Sequence, residues 1–473
     1  MAIDTMDIEK VVKAVLEKID KKGHSMKEET IGVQNPGKGI FSNMDMAIEA
    51  AWKAQKKFFK EYNLEDRNRI IQTIREELME NVEALARLGV DDTGMGRYED
   101  KLVKNKLTIE KTPGVEDLKA EVYTGDSGLA LIEFSPYGVI GAITPSTNPS
   151  ETVICNSIGM IAAGNSVVFS PHPGAKKISM KTIEIINTAI EKAGGPENLI
   201  VTVDNPSIEN AQKMMTHEKI KMIVATGGPG VVKSAMSKGK KAIGAGAGNP
   251  PALVDETADI EKAARDIIAG CSFDNNLPCI AEKEVIVVDS VADYLIFSMK
   301  KENVYHLENR ENIDRLLKIV FDEKGRLNRK YVGKDAKFIL NSAGIKCEKD
   351  VRAVIMEVKK DHPFVLEELM MPILPIVRVK DIEEGINLAV AVEQGNRHTA
   401  IMHSKNIDNL TRFAREVETT IFVKNAPSYA GLGYGGEGYA TFTIAGPTGE
   451  GLTSTRSFAR KRKCSLVGGF SIK

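Results

Sequence analysis

Cysteine is scarce in this chain: five residues in 473 (Cys155, Cys271, Cys279, Cys347 and Cys464), with irregular spacing and no Cys-x-x-Cys pair. So few, unpatterned thiols suit a reducing compartment and provide no zinc knuckle. An excess of charge of one sign is also missing. Sixty-four basic residues stand against 65 acidic ones, a formal net charge of -1, so no global field draws in nucleic acid or an anionic membrane. The seven histidines form no metal-spaced pair. The nearest, His398 and His403, fall in a predicted turn and strand, and no metal site is expected. The N-terminus lacks the charged-then-apolar order of a signal peptide, and no apolar run approaches the roughly 18 residues of a membrane span. The nearest candidate span, Thr152 to Ser170, carries no charge but contains Asn156, Gly159, Gly164 and Asn165, and reads as a buried helix, a turn and a strand. No internal repeat is visible. These absences leave a soluble enzyme acting on a small molecule as the default reading.

What is present fits a folded chain: 42% hydrophobic and 27% charged residues are ordinary globular usage. At about 150 residues per domain the length predicts three domains or one multi-lobed fold. The first 20 residues stand apart. Ile8, Val11, Val12, Val15, Leu16 and Ile19 recur at helical spacing, with Glu9, Lys10, Lys13, Glu17 and Lys18 on the other face. A polar, glycine-containing tether, residues 21–39, follows. This helix either docks on the core or is a detachable peptide that binds a partner.

Met44 to Gly89 reads as two or three amphipathic helices, rich in Ala, Leu, Glu and Lys and free of proline. Leu129 to Phe134 and Val139 to Thr144 read as strands. Helices at Glu151–Ala163, Ala175–Ala193 and Ile208–Met215 then alternate with strands at Ser166–Phe169, Leu199–Val203 and Lys221–Ala225. This order predicts a doubly wound parallel sheet. A second α/β unit begins near Pro251 and runs to about Val423, with a helix at Ile260–Ala269, a strand at Glu284–Val288 and a helix at Val291–Glu302. A glycine-rich tail ends in a basic segment, Arg456 to Lys463, expected as a solvated edge strand.

Three places carry chemistry. Gly227-Gly228-Pro229-Gly230 ends an apolar strand and opens a helix at Val231 to Ser237, where free backbone N–H groups could hold pyrophosphate. It is not a Gly-x-Gly-x-x-Gly fingerprint, and a plain strand-to-helix turn fits as well. Cys279, in Phe273-Asp274-Asn275-Asn276-Leu277-Pro278-Cys279, sits at an irregular bend. There a lowered pKa would make a nucleophile, although taken alone a buried structural cysteine is the simpler account. Asn148, in Thr144-Pro145-Ser146-Thr147-Asn148-Pro149, follows the carboxyl end of an apolar strand, where open α/β sheets bind ligands. Its carboxamide could donate to an oxyanion, or it could only shape an Asn-Pro turn. Cys155 and Cys271 are expected in the core, and Cys347 and Cys464 as surface or tail thiols.

Taken in this order, Thr-Pro-Ser-Thr-Asn-Pro, Thr226-Gly227-Gly228-Pro229-Gly230, Phe-Asp-Asn-Asn-Leu-Pro-Cys and Glu367-Glu368-Leu369-Met370-Met371-Pro372 resemble the aldehyde dehydrogenase superfamily. Within it the chain looks like the CoA-acylating propionaldehyde, butyraldehyde and acetaldehyde dehydrogenases, from about Gly39 onward. The resemblance implies an aldehyde dehydrogenase-like α/β fold. Its parts are a Rossmann-type cofactor domain (40–120 and 134–247), a catalytic domain (248–428) and a small β oligomerisation element (121–133 and 440–473), giving a homodimer or homotetramer. It implies NAD as cofactor and coenzyme A as co-substrate. Cys279 matches the nucleophile and Asn148 the oxyanion donor. Glu368 matches the glutamate on the nicotinamide ribose, and Thr226, Gly227 and Gly228 match the phosphate turn. Pro145 and Ser146 fall beside the cofactor. Ser170, Pro171, His172 and Pro173 stand where hydrolytic members place a lysine and a glutamate for the adenosine ribose.

One departure bears on mechanism. Where hydrolytic members carry a glutamate opening Glu-Leu-Gly-Gly, this chain has Ala245-Gly246-Ala247-Gly248. Loss of that base removes a contribution of about 10²–10⁴-fold to water attack on the acyl-enzyme. A thiol needs less help, so CoA becomes the expected acyl acceptor. Members associated with bacterial microcompartments carry an N-terminal amphipathic peptide that docks on shell or cargo proteins, and residues 7–19 resemble it. The rival reading on the same fold is an acyl-phosphate or semialdehyde-type reductase, which uses phosphate in place of CoA.

Overall fold

Residues 38–472 are described by a computed structural model; the expected N-terminal helix and most of its tether lie outside them. In chain order the elements are β1 (Ile40–Phe41), α1 (Met44–Glu61), α2 (Leu64–Glu80), α3 (Val82–Thr93) and α4 (Tyr98–Lys111). Next come β2 (Glu121–Gly125), β3 (Gly128–Pro136), β4 (Val139–Thr144), α5 (Pro149–Ala162), β5 (Ser166–Pro171), α6 (Lys176–Lys192) and β6 (Ile200–Val203). They are followed by α7 (Ile208–Thr216), β7 (Ile220–Thr226), α8 (Pro229–Met236) and β8 (Lys241–Ala245). The alternation expected from sequence is there, with ends displaced by a few residues. Three helices fill Met44 to Thr93, and a fourth, α4, had no expectation attached to it.

The first sheet has the order β1-β6-β5-β4-β7-β8, all parallel. Its strands are apolar runs because helices cover both faces; Ile140, Ala142, Val167, Phe169, Met222 and Val224 are buried in one cluster with α2 and α6. Successive strands step outward from β4 toward β6 and then return to β7 on its other side. The β4/β7 crevice is therefore the topological switch point, where such sheets bind ligands outside the carboxyl ends of the strands.

The second half carries β9 (Pro251–Val254), α9 (Ile260–Ser272), β10 (Glu284–Val288), α10 (Asp289–Met299), β11 (Val304–His306), α11 (Arg310–Val320), α12 (Ala336–Ser342) and β12 (Ala353–Glu357). After them come α13 (Pro363–Leu366), β13 (Ile373–Val379), α14 (Ile382–Glu393), β14 (Thr399–His403), α15 (Ile407–Val417) and β15 (Ile421–Lys424). Its sheet, β11-β12-β13-β10-β9-β14-β15, is also wholly parallel. This mixed α/β architecture is the expected fold class.

Beyond β15, β16 (Ile444–Ala445) and β17 (Gly451–Leu452) form a small antiparallel pair, and β18 (Ala459–Val467) lies antiparallel along β3, with β2 on the other side. Strand β18 is an edge, exposed from Arg460 onward, as the basic run suggested. Cys464 lies exposed on it, and Cys155 and Cys271 are buried. Cys347 departs from expectation: it is buried, packed beside Ile345 and Val351, and its thiol donates to the Lys349 carbonyl at 3.3 Å.

Candidate active site

Two groups of the expected residues emerge at strand ends. The first lies at the carboxyl edge of the first sheet. Pro145 and Ser146 leave β4, Ser170 and Pro171 end β5, and Thr226 ends β7 just before Gly227 and Gly228 open α8. Thr226 Oγ1 is 3.1 Å from Thr443 Oγ1, which ties the turn to the C-terminal segment. A Cβ placed on Gly228 or Gly230 would meet nothing within 4 Å, and one on Gly227 only Val231 at 4.0 Å. The backbone at the N-terminus of α8 is thus unobstructed, so the residues present fit a dinucleotide pyrophosphate. Ser170 and Pro171 are buried, whereas His172 and Pro173 are exposed. The His172 ring Nδ1 accepts from the Gly174 N–H at 3.0 Å, capping a short turn.

The second group lies at the amino edge of the other sheet. Gly248 precedes β9, Cys279 precedes β10, Glu368 precedes β13 and His398 precedes β14. A Cβ on Gly248 would stand 2.8 Å from His398 Cγ and 2.9 Å from the Cys279 carbonyl oxygen. The Gly248 N–H also bonds the Glu368 carboxylate. Glu368 is close enough for its charge to act on the Cys279 thiol.

The approach to Cys279 is unusual backbone. Asp274, Asn275 and Asn276 have φ of 47°, 56° and 65°, three successive left-handed residues of a kind that L side chains adopt at a cost. Each is held by its own side chain. Asp274 Oδ1 accepts from the Arg97 N–H at 2.8 Å. Asn275 Nδ2 donates to Gly333 O and Asp335 Oδ1, both at 3.0 Å, and Asn276 Nδ2 donates to Cys271 O at 2.8 Å and Glu282 O at 2.9 Å. The buried Lys283 ammonium closes the loop on Asn276 O at 3.0 Å and Asn276 Oδ1 at 2.7 Å.

The expectation of a lowered thiol pKa for Cys279 is not met. Burial pushes the thiol up to about 12, helped by the Glu368 charge, while Lys283 and Lys104 pull the other way. No helix begins at Cys279 to offset burial, since Pro278 to Ala281 form a turn and bend ahead of β10. Burial also raises Glu368, against the opposing pull of Lys283 and the Gly248 N–H. His398 is buried, driven down to about 3 by burial and by Lys283, and its Nδ1 lies 2.9 Å from Thr399 Oγ1. The ring is therefore neutral, with Nε2 lacking a hydrogen-bond partner among the described residues.

Asn148 is buried at the N-cap of α5, yet its side chain makes no capping bond. Its Oδ1 instead accepts from Lys104 Nζ at 2.7 Å, and its Nδ2 donates to Thr147 Oγ1 at 3.3 Å. Lys104, Lys283, His398 and Asp274 were not singled out for this site from sequence. The Phe-Asp-Asn-Asn run could have flagged Asp274, but nothing in the chain order pairs Lys104 with Asn148. No group of three or more His, Cys, Asp or Glu side chains converges on a metal position among the described residues.

The profile of the aldehyde dehydrogenase family matches residues 33–442. The chain belongs to that family. It is 52% identical over 438 residues to a CoA-propanoylating propanal dehydrogenase of Citrobacter freundii, covering 92% of this chain and 94% of the relative. A crystal structure of Rhodopseudomonas palustris propionaldehyde dehydrogenase with bound CoA and an acylated cysteine superposes with a TM-score of 0.90 at 56% identity, over 92% of this chain and 99% of the other. A propionaldehyde dehydrogenase from the Clostridium phytofermentans fucose utilisation microcompartment gives the same TM-score at 51% identity, over 92% and 100%.

Proposed function

We propose that this protein is a CoA-acylating aldehyde dehydrogenase that converts a short-chain aldehyde, propionaldehyde foremost, with NAD⁺ and CoA into acyl-CoA and NADH. The observation that carries the CoA requirement is the segment Ala245 to Gly248. It presents no carboxylate to activate water, and Gly248 is packed so closely on Cys279 and His398 that nothing larger than hydrogen fits there. The names of the relatives at 52% and 56% identity support the same chemistry.

In this reading the thiolate of Cys279 attacks the aldehyde carbon. The oxyanion of the hemithioacetal receives the Asn148 Nδ2–H and the Cys279 backbone N–H, donors aimed where charge develops. NAD⁺, when bound, would supply the hydride acceptor, and loss of hydride from the hemithioacetal would convert the adduct on Cys279 to a thioester. Glu368 orients the nicotinamide ribose, and Thr226, Gly227 and Gly228 hold the pyrophosphate, with Pro145 and Ser146 beside it and Ser170 to Pro173 at the adenosine end. The thiol of CoA then attacks the thioester and restores Cys279. With its thiol held high in the free protein, Cys279 has to be ionised as reactants and the Lys283 and Lys104 charges come into play.

The proposed domains are a cofactor domain over 40–120 and 134–247, a catalytic domain over 248–428, and an oligomerisation element over 121–133 and 440–473 that pairs copies into a homodimer or homotetramer; the separation of the two large parallel sheets supports the first division. Residues 7–19 are proposed to dock on microcompartment shell or cargo proteins. The microcompartment origin of the 51% identical structure supports this, and with it a place for the enzyme inside such a compartment in a bacterial cytoplasm.

The test is NADH formation from acetaldehyde to hexanal, with CoA, with phosphate, or with neither. CoA-dependent turnover greatest near three carbons is expected. Turnover driven by phosphate would replace this reading with the acyl-phosphate reductase.

A further inference from the structure

Helix α4 places Lys101 and Lys104 three residues apart, on one face. Both are buried, at 2% and 0% exposure. Two ammonium groups side by side in a core are destabilising unless each is compensated. Compensation comes from both halves of the molecule. Asp274, on the loop leading to Cys279, lies with Oδ2 3.1 Å from Lys101 Nζ and 2.6 Å from Lys104 Nζ. Glu151, in the first turn of α5, lies with Oε1 2.9 Å from Lys104 Nζ. The remaining close oxygen at Lys104 is Asn148 Oδ1 at 2.7 Å. The two carboxylates compensate Lys104 by charge, while Asn148 Oδ1 is the acceptor that takes a hydrogen bond from its ammonium.

The last of these contacts is the informative one. An N-cap asparagine ordinarily offers Oδ1 to the first-turn N–H groups of its own helix. Asn148 gives that up. With Oδ1 committed to an ammonium, the carboxamide cannot flip, because the flipped amide would set its NH₂ group against a cation with no acceptor. Nδ2 then faces away from Lys104, with one N–H on Thr147 and the other without a partner among the described residues.

We propose that Lys104 is a positioning residue for acyl transfer: one buried ammonium fixes the Asn148 carboxamide and, through Asp274, the loop bearing Cys279, so that the two oxyanion donors keep a set separation. This rests on the roles given above to Asn148 and Cys279. Lys104 does not touch substrate; it acts through Asn148 Oδ1 and Asp274 Oδ2. Its charge lies near enough to act on the Cys279 thiol as well.

Lys104→Met alone would leave Glu151 buried without its cation, so the test uses the charge-balanced pair Lys104→Met with Glu151→Gln, in the full chain. Lys104→Gln with Glu151→Gln serves as a partner variant that keeps an N–H at position 104. Each is measured with and without Asn148→Ala for kcat, aldehyde KM and thermal midpoint. The Met pair is expected to lower kcat at least about 10-fold with KM within about 3-fold, a fraction of the 10²–10³-fold carried by a whole oxyanion donor. The Gln pair recovers kcat at least 3-fold over the Met pair at a similar thermal midpoint. Once Asn148 is alanine, the Met pair costs less than about 3-fold more. Equal losses in both backgrounds, or no difference between the Met and Gln pairs, would overturn the positioning role while leaving Asn148 as the oxyanion donor. Full kcat in Asn148→Ala alone removes the oxyanion reading itself, and the proposal with it.

Discussion

Gly248 lies directly against His398: a side chain at 248 would begin 2.8 Å from the imidazole Cγ and 2.9 Å from the Cys279 carbonyl oxygen. No real Cβ tolerates such distances to a packed ring and a backbone atom. Gly248→Ala must therefore push His398 or the Cys279 turn aside. It also disturbs the N–H that Gly248 gives to Glu368. The expected result is a loss of about 1–3 kcal/mol in stability, the usual range for overpacking, together with a fall in kcat of at least 10-fold. Urea denaturation and steady-state NADH formation read the two effects, and unchanged values of both would contradict the packing.

Gly228 gives the opposite case. Its φ of -62° suits any residue, and its Cβ would meet nothing within 4 Å. Gly228→Ala should fold as well as the wild type, with a thermal midpoint within about 1 °C. If the open space is where the pyrophosphate sits, the added methyl blocks its approach, and KM for NAD⁺ rises 10-fold or more while KM for CoA moves little. An unchanged KM for NAD⁺ would take the phosphate cradle away from α8.

The route of deacylation is testable at the level of a single turnover. Without CoA, the absence of a carboxylate over Ala245 to Gly248 predicts one NADH per active site and then arrest. Rapid mixing of enzyme, NAD⁺ and propionaldehyde should show that burst, and addition of CoA should restore steady turnover. Continuous carboxylate production without CoA would mean that another group activates water. Cys279→Ala should show neither burst nor turnover. The alkylation rate of Cys279 in the free enzyme should still climb at pH 9, because burial holds the thiol up to about 12.

Strands β3 to β7, β10 and β18, the helices of the first parallel sheet and the turn at Gly227 could be read from the chain because each depends on neighbours in sequence. Val139 to Thr144 is apolar throughout and stops at a proline; Gly194-Gly195 ends α6. Cys279, Asn148 and Glu368 were legible through motif order. What stayed hidden depends on contacts across long separations. Lys104 looks like any surface lysine of an amphipathic helix until Asp274 arrives from 170 residues later in the chain. Cys347 looked like an exposed thiol because its segment is short of apolar residues, yet α11 and α12 close over it. The direction of the Cys279 shift stays hidden for a related reason: the Asn-Asn-Leu-Pro run reveals a bend, but not the desolvation of the thiol there.

Acid sensitivity follows from the buried histidines and opposes a buried glutamate. His398 and His403 are both held down to about 3 by burial, aided by Lys283 and Lys262 respectively. The unfolded chain protonates them near 6.5 and the native one does not, so their stability contribution is present above pH 6.5 and is lost as pH falls toward 3. Glu282 has the reverse sign. Burial raises it to about 7, against hydrogen bonds from the Ser428 N–H and hydroxyl at 2.8 and 2.7 Å. The native state then holds a proton that the unfolded state gives up above about 4.5, so this group adds stability as pH falls from 7 toward 4.5. Within the window from pH 7 to 5.5 it masks part of the histidine loss. Glu282→Gln keeps the shape and an accepting oxygen but cannot titrate. Its urea-unfolding free energy should fall more steeply than that of the wild type over this window, by roughly 1–2 kcal/mol. Equal slopes would mean that Glu282 is ionised in the folded protein, and that the Ser428 hydrogen bonds outweigh its burial.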